Sequence, residues 1–428
     1  MPALHPPAST ASVSTAIAIT GLFLLGTTGT SLNSIHNRLF DLLTITAADL
    51  VNPYIPGGPS PYFRDFTGIK PIDITLGALN GFFCGLLDGD RTWDVDLSYW
   101  HTMSMLGTGF ALLGVEGLRR GNQGLSVART NLLGALFQLA SYSVACPLYL
   151  LLHIFTSPTV SHLPGNLSWA EVVSVNERDV TFLPLFTVLS FFIPTVLMSL
   201  PSPSVLSGKV HYTWAALWQL FPFWHYILQQ SSSIFNTPSP KQTRTPNRSS
   251  IPDKNQKVSH ALKRHYQLIL TISTITNLTV LLITLTSPSL LPLKSPNWLF
   301  SMVQESTFSK VFIPAPLWNP PSIDSTTLAL VKVNQSKVPA DWLPVLVKHF
   351  LQYDIYAPSL AVFVWAGYAL ASASVQPVAM SPLISKRLVL AKTCSWFLVG
   401  GPIAAATFLM WERDEVVLKS LERWEKAQ

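Results

Sequence analysis

Apolar runs of about twenty residues recur along almost the whole chain, and this repetition constrains the fold more than any motif does. They lie near 13–31, 72–90, 98–118, 130–156, 180–200, 211–229, 265–286, 357–375 and 388–411. A run of about twenty residues is what a helix needs to cross the hydrocarbon core of a bilayer. The composition agrees: 48% of the residues are hydrophobic and only 12% charged, against roughly 25% charged in soluble domains. The expectation is an all-α, polytopic transmembrane helix bundle of about seven to nine segments, forming one domain over residues 1–428.

The remaining charge orients the runs. No Lys or Arg precedes the first run, unlike a cleaved signal peptide, so it reads as a retained span. Segments 119–129, 230–264 and 376–392 are basic, and the net charge of +6 resides largely in such loops. That is orientation in a membrane and contact with lipid heads, not nucleic-acid binding. All three can be cytosolic if the polar run 211–229, with His211, Gln219, Pro222 and His225, is re-entrant or interfacial. Segment 287–356 reads as a long Pro-rich connection. Its Trp298, Trp318 and Trp342 suit the bilayer interface, as a surface loop or as a lid over a cavity. The glycosylation triplets at Asn166, Asn247 and Asn334 point to a glycoprotein, and a multi-pass protein of the endoplasmic reticulum is expected. Cys84, Cys146 and Cys394 are scattered through apolar runs. They read as small hydrophobes, so no metal and no cofactor is expected. The sequence carries no signal of oligomeric state.

Three carboxylates break the apolar pattern: Asp73, Asp88 and Glu116. An acid at membrane depth costs about 3 kcal/mol on insertion scales, so it usually faces a cavity or a partner. Gly77, Gly81, Gly85 and Gly89 recur every fourth residue in line with Asp73. Small residues at that spacing let helices approach closely, so this row should face protein. Asp73 and Asp88 are fifteen residues apart, about 22 Å along a helix, and sit at opposite ends of it. If the next helix returns antiparallel, Glu116 lies level with Asp73. Each acid also has a plainer reading. Asp73 suits a helix N-terminus, Glu116 can pair with Arg119 or Arg120 one turn on, and Asp88 can open a turn before Gly89. Phe82, Phe83, Tyr99, Trp100, Trp218 and Trp224 either pack the bundle or wall a pocket whose ring faces stabilise a cation.

The string from Gly68 to Gly89, GIKPIDITLGALNGFFCGLLDG, followed by the glutamate of GVEGLRRGN, resembles the integral membrane terpene cyclases of fungal indole-diterpene and meroterpenoid gene clusters. The likeness is strongest over the first third of the chain. Related sequences often carry a Trp-Pro pair near Cys84-Gly85, which this chain lacks. The resemblance implies metal-independent cyclisation of a prenyl chain on an aromatic or polyketide-derived head, begun when an enzyme acid protonates a terminal epoxide or alkene. It implies a lipophilic prenylated substrate, membrane lipid as surroundings, and Glu116, Asp73 and Asp88 as acid/base candidates. The chemistry is physically reasonable, because burial in a low-dielectric site keeps a carboxyl protonated and a carbocation survives only in a dry pocket.

Two other classes stay open. The stretch from Asp88 to Asp96, with Asp94, suggests magnesium–diphosphate binding by a prenyltransferase, for which Glu177 and Asp179 would be the second acidic motif. A transporter or a non-catalytic membrane protein of a biosynthetic cluster is the other, although no internal repeat supports transport.

Overall fold

The apolar runs become helices, and no strand occurs among the described residues. The computed structural model describes residues 10–49, 51–89, 91–160, 169–231, 251–292, 294–334, 338–374 and 386–427. The main elements are α1 (Thr10–His36), α2 (Leu39–Ile45), α3 (Lys70–Asp88), α4 (Trp93–Gly117), α5 (Thr130–Ala140), α6 (Tyr142–Thr156) and α7 (177–198). They continue with α8 (Gly208–Gln219), α9 (Phe221–Ser231), α10 (Ile251–Leu285), α11 (Trp342–Ser374) and α12 (Lys386–Ala427). Of the triplets, Asn166 and Asn247 lie outside the described residues, as do 232–250 of the basic segment 230–264. Residues 251–264 are helical, the first turns of α10.

Five helical stretches are long and apolar enough to cross a membrane: Thr10–His36, Trp169–Met198, Gln256–Leu285, Trp342–Ser374 and Arg387–Val417. α5 and α6 are apolar but shorter. The run 130–156, expected as one span, is broken between them at Ser141, whose φ of 76° interrupts the helix. The run 211–229 is likewise two helices, α8 and α9, separated at Leu220. α4 is wrapped in protein, with every residue from His101 to Gly117 buried.

The glycine row of α3 faces protein, as its spacing predicts. A Cβ on Gly81 would lie 2.1 Å from the Cβ of Ala47, and one on Gly85 would lie 2.0 Å from Leu343. The row therefore fixes α3 against the segment after α2 and against the start of α11. Pro71, at the first positions of α3, costs the helix no hydrogen bond there.

α11 is the largest departure from the sequence reading. Residues 342–356, assigned to the long connection, are its first four turns. Ala357-Pro358 reads as a boundary because the residue before a proline is pushed out of the α region. Here the helix runs through Pro358, held by neighbours on most sides. It packs against α1, α3, α4, α6 and α12. Ala361, Val362, Trp365, Ala366 and Ala369 at its centre are fully buried. Glycines of α1 make one of these contacts close: a Cβ on Gly29 would strike the ring of Tyr353, and one on Gly26 would crowd Ser143 and Ala357.

Candidate active site

Glu116, at the last turn of α4, is fully buried in a cluster of ions. Arg413 of α12 holds both its oxygens, with Nη2 2.6 Å from Oε1 and Nη1 3.1 Å from Oε2. Arg119 donates from Nε to Oε1 at 2.9 Å. Asp414 accepts from Arg119 at 2.7 Å and from Arg413 at 3.0 Å, and Tyr266 of α10 donates to it at 2.8 Å. His153 of α6 lies 3.7 Å from Glu116 and accepts from the indole of Trp365 in α11. Two carboxylates thus face two guanidiniums, tying α4 to α10, α11 and α12. The pairing with an arginine one turn on is realised, by Arg119. Arg413 was invisible to local reasoning because it lies 297 positions away.

Asp73 is also spoken for. Its Oδ1 accepts from the amide and hydroxyl of Thr67, both at 2.8 Å, and its Oδ2 from the amide of Gly68 at 2.9 Å. It closes the entry loop onto the first turn of α3. Asp73 and Glu116 share no partner, and no hydrogen bond or ion pair joins them among the described residues. The expected common site at the level of Asp73 and Glu116 is not formed.

Asp88 meets His211 of α8, its Oδ1 and Oδ2 each 3.1 Å from Nε2. Cys84, one turn earlier on α3, completes a group whose ligand atoms lie within 4.8 Å of one another. Spacing gave no Cys/His pairing, and the fold supplies one. Three such donors are too few for a closed tetrahedral site but match the protein ligands of an open one, so against the expectation of scattered, inert cysteines this carboxylate, imidazole and thiol could hold a metal ion. Two further acids of the stretch are bound to their own cations: Lys348 pairs with Asp94, and Arg91 with Asp96 at 2.7 Å, while Asp90 lies outside the described residues. Among the described residues these acids do not gather with Glu177 or Asp179 into one cluster of metal-ligand atoms.

A cavity of about 430 Å³ opens between α2, α3, α5 and α11. Its walls include Phe40, Phe82, Phe83, Phe137 and Phe350, and it shares Leu79, Gln138 and Leu139 with a neighbouring recess of about 350 Å³. Phe82 packs edge-on against Phe83 and Phe350 at 5.1 and 5.0 Å between centroids, and Phe83 against Trp218 at 4.6 Å. Trp218 and Tyr99 stand behind that wall. Both are buried and both bond to Thr195, through the indole to its hydroxyl at 2.8 Å and through the phenol to its carbonyl at 3.1 Å. Trp100 and Trp224 do not reach the cavity. Each is 38% exposed on the outer surface; one residue along a helix turns a side chain by about 100°, so Trp100 points outward while its ring still meets Tyr99 edge-on at 5.2 Å.

One carboxylate lies on the cavity wall, and it is none of the three expected. Asp354 of α11 is buried, and its Oδ1 accepts from the Ser143 amide at 2.8 Å. It was missed because 342–356 read as a connection. As part of a buried helix, the acid in HFLQYDIYAP is as costly, and as informative, as the other three. The cavity combines apolar volume, several ring faces and one acid, which suits folding of a hydrocarbon chain under proton control.

Comparison with known proteins places the chain. The pattern of the CtvD domain family matches residues 34–418. Terpene cyclase ascI of Acremonium egyptiacum is 27% identical over 363 residues, which is 84% of this chain and 82% of that protein. Terpene cyclase ctvD of Aspergillus terreus is 25% identical over 219 residues, half of this chain and 61% of that protein. No solved structure matches. With nine-tenths of its length inside the matched region, the chain belongs to the CtvD domain family.

Proposed function

We propose that the protein is a membrane-embedded terpene cyclase of fungal secondary metabolism, which folds and cyclises a lipophilic prenyl chain inside the 430 Å³ cavity and its adjoining recess. The observation that carries the class is the relationship over 84% of the chain to a protein named as a terpene cyclase. The cavity supports the site. Its apolar walls desolvate the substrate, and Phe82, Phe83 and Phe350 offer π faces to a migrating cation, each contact contributing about 0.5–2 kcal/mol in a dry site. The substrate is a linear prenyl chain attached to a more polar head, entering from the bilayer, and the reaction begins with protonation of a terminal oxirane or alkene. The endoplasmic reticulum is the proposed location.

The experiment is deletion of the gene in the source organism, with comparison of metabolites by mass. Cyclisation of this kind is an isomerisation. The deletion strain should therefore lose a cyclic product and accumulate a linear compound of the same mass. A strain that loses a product without gaining an isomer of it would exclude the reading.

A further inference from the structure

We propose that Asp354 is the proton donor of the cyclisation, and that the break between α5 and α6 exists to hold it. This rests on the cyclase reading above. Among the described residues Asp354 is the only carboxylate lining the cavity, and the adjoining recess has none.

Two features of the backbone meet at Asp354, one at its side chain and one at its carbonyl. Ser141 adopts φ 76° and ψ 155°, a region populated almost only by glycine and costing a side-chain-bearing residue about 1–3 kcal/mol. That strained residue starts α6 so that its N-terminus points at Asp354. The Ser143 amide donates to Oδ1 at 2.8 Å, and the Tyr142 amide and the Ser141 and Ser143 hydroxyls also face the carboxyl. On the other side, Pro358 removes the N–H that would bond to the Asp354 carbonyl in an unbroken helix. A line of hydroxyls then leads away from the site. Ser141 Oγ, itself on the cavity wall, is 2.9 Å from Ser143 Oγ, which is 3.1 Å from Thr30 Oγ1 of α1.

The chemistry balances without a co-reactant. For an oxirane substrate, the terminal C–O bond breaks with its electron pair going to oxygen, which takes the Asp354 proton and becomes a hydroxyl. The carbocation is captured by the π pair of an internal alkene, forming a ring C–C bond and moving the charge along the chain. A C–H proton beside the last cation returns to the Asp354 carboxylate, and its electron pair closes an alkene. Helix N-terminal amides stabilise the carboxylate during the interval in which the proton is on the substrate. Glu116, by contrast, has both oxygens occupied by guanidiniums and does not line the cavity.

The test complements the deletion strain with wild type and with Asp354→Asn, which keeps the size and an acceptor for Ser143. Membranes from each strain are then assayed for turnover of the linear isomer that accumulates in the deletion strain. Wild type should convert it, and Asp354→Asn should lose about 10²–10⁴-fold in turnover at equal protein level, while the linear isomer still raises its melting temperature. Asp354→Glu should regain part of the loss. An Asp354→Asn protein within threefold of wild type overturns the proposal and leaves the cyclase reading standing. So does an Asp88→Asn protein that loses turnover while Asp354→Asn keeps it. Absence of any accumulated isomer overturns the cyclase reading itself. Should Asp354→Asn fail to fold, Ser141→Gly decides: it keeps the break, relieves the strain and removes one hydroxyl. It should be at least as stable as wild type and about tenfold slower, and unchanged turnover counts against the proposal.

Discussion

Glu116 and Asp354 are both buried acids on long apolar helices, yet their surroundings differ in kind. Glu116 sits in a closed set of charges, with two guanidiniums against two carboxylates, and does not line the 430 Å³ cavity. Asp354 is held by neutral donors, two amides and two hydroxyls, on the wall of a 430 Å³ cavity. The contrast separates two uses of the same functional group. A carboxylate that neutralises buried cations holds helices together and has no proton to give. A carboxyl held by neutral groups beside free volume is available to a substrate.

The comparison breaks most directly on stability. Arg413→Met or Glu116→Gln leaves a charge buried without its partner, and a loss of about 3–5 kcal/mol is expected. Thermal unfolding in detergent should show it for either single variant, while Asp354→Asn costs less, about 1–3 kcal/mol, because one amide NH2 then faces the donors that held the carboxyl. Equal destabilisation by Glu116→Gln and Asp354→Asn would erase the distinction. Gly85→Leu drives a side chain into Leu343 at the junction of α3 and α11. It should cost about 1–3 kcal/mol and slow turnover as well, because that junction sets how Phe82 packs on Phe350 in the cavity wall. A variant with reduced melting temperature and unchanged product would show that the wall tolerates movement. Phe83→Leu keeps most of the volume but removes the ring between the cavity and Trp218. Turnover should fall about two- to thirtyfold, the range set by loss of one cation–π contact, with a new distribution of cyclic products by mass spectrometry. The smallest effect belongs to Trp224→Phe on the outer surface. Stability within about 0.5 kcal/mol and an unaltered product profile are expected, and a changed profile would bring Trp224 back to the substrate.

The helical class followed from the apolar runs alone, since nothing else satisfies the backbone of segments so long and so poor in charge. The glycine row of α3 was equally legible, because spacing of four puts residues on one helix face whatever lies opposite. The site was legible only in part. Phe82 and Phe83 reach the cavity, and Tyr99 and Trp218 back its wall, whereas Trp100 and Trp224 face outward, since local density of aromatics does not say which side of a helix is inside. Asp73 and Glu116 were recognised as buried, but their partners were not all recognised. Thr67 and Gly68 lie a few residues from Asp73, and Arg119 one turn from Glu116, while Arg413 and Asp414 come from the far end of the chain.

What the sequence determined by itself, then, is the cost: apolar helices that keep acids must answer for them, and local spacing shows where the acids are. What the tertiary structure decided is how each is answered. α11 passes through a proline because neighbours on most sides outweigh one lost hydrogen bond, and its Asp354 meets Ser141 and Ser143 from more than 200 positions earlier. Burial and partner choice depend on contacts across the bundle, which no window of sequence contains, so an acid that read as part of a loop became the acid on the cavity wall.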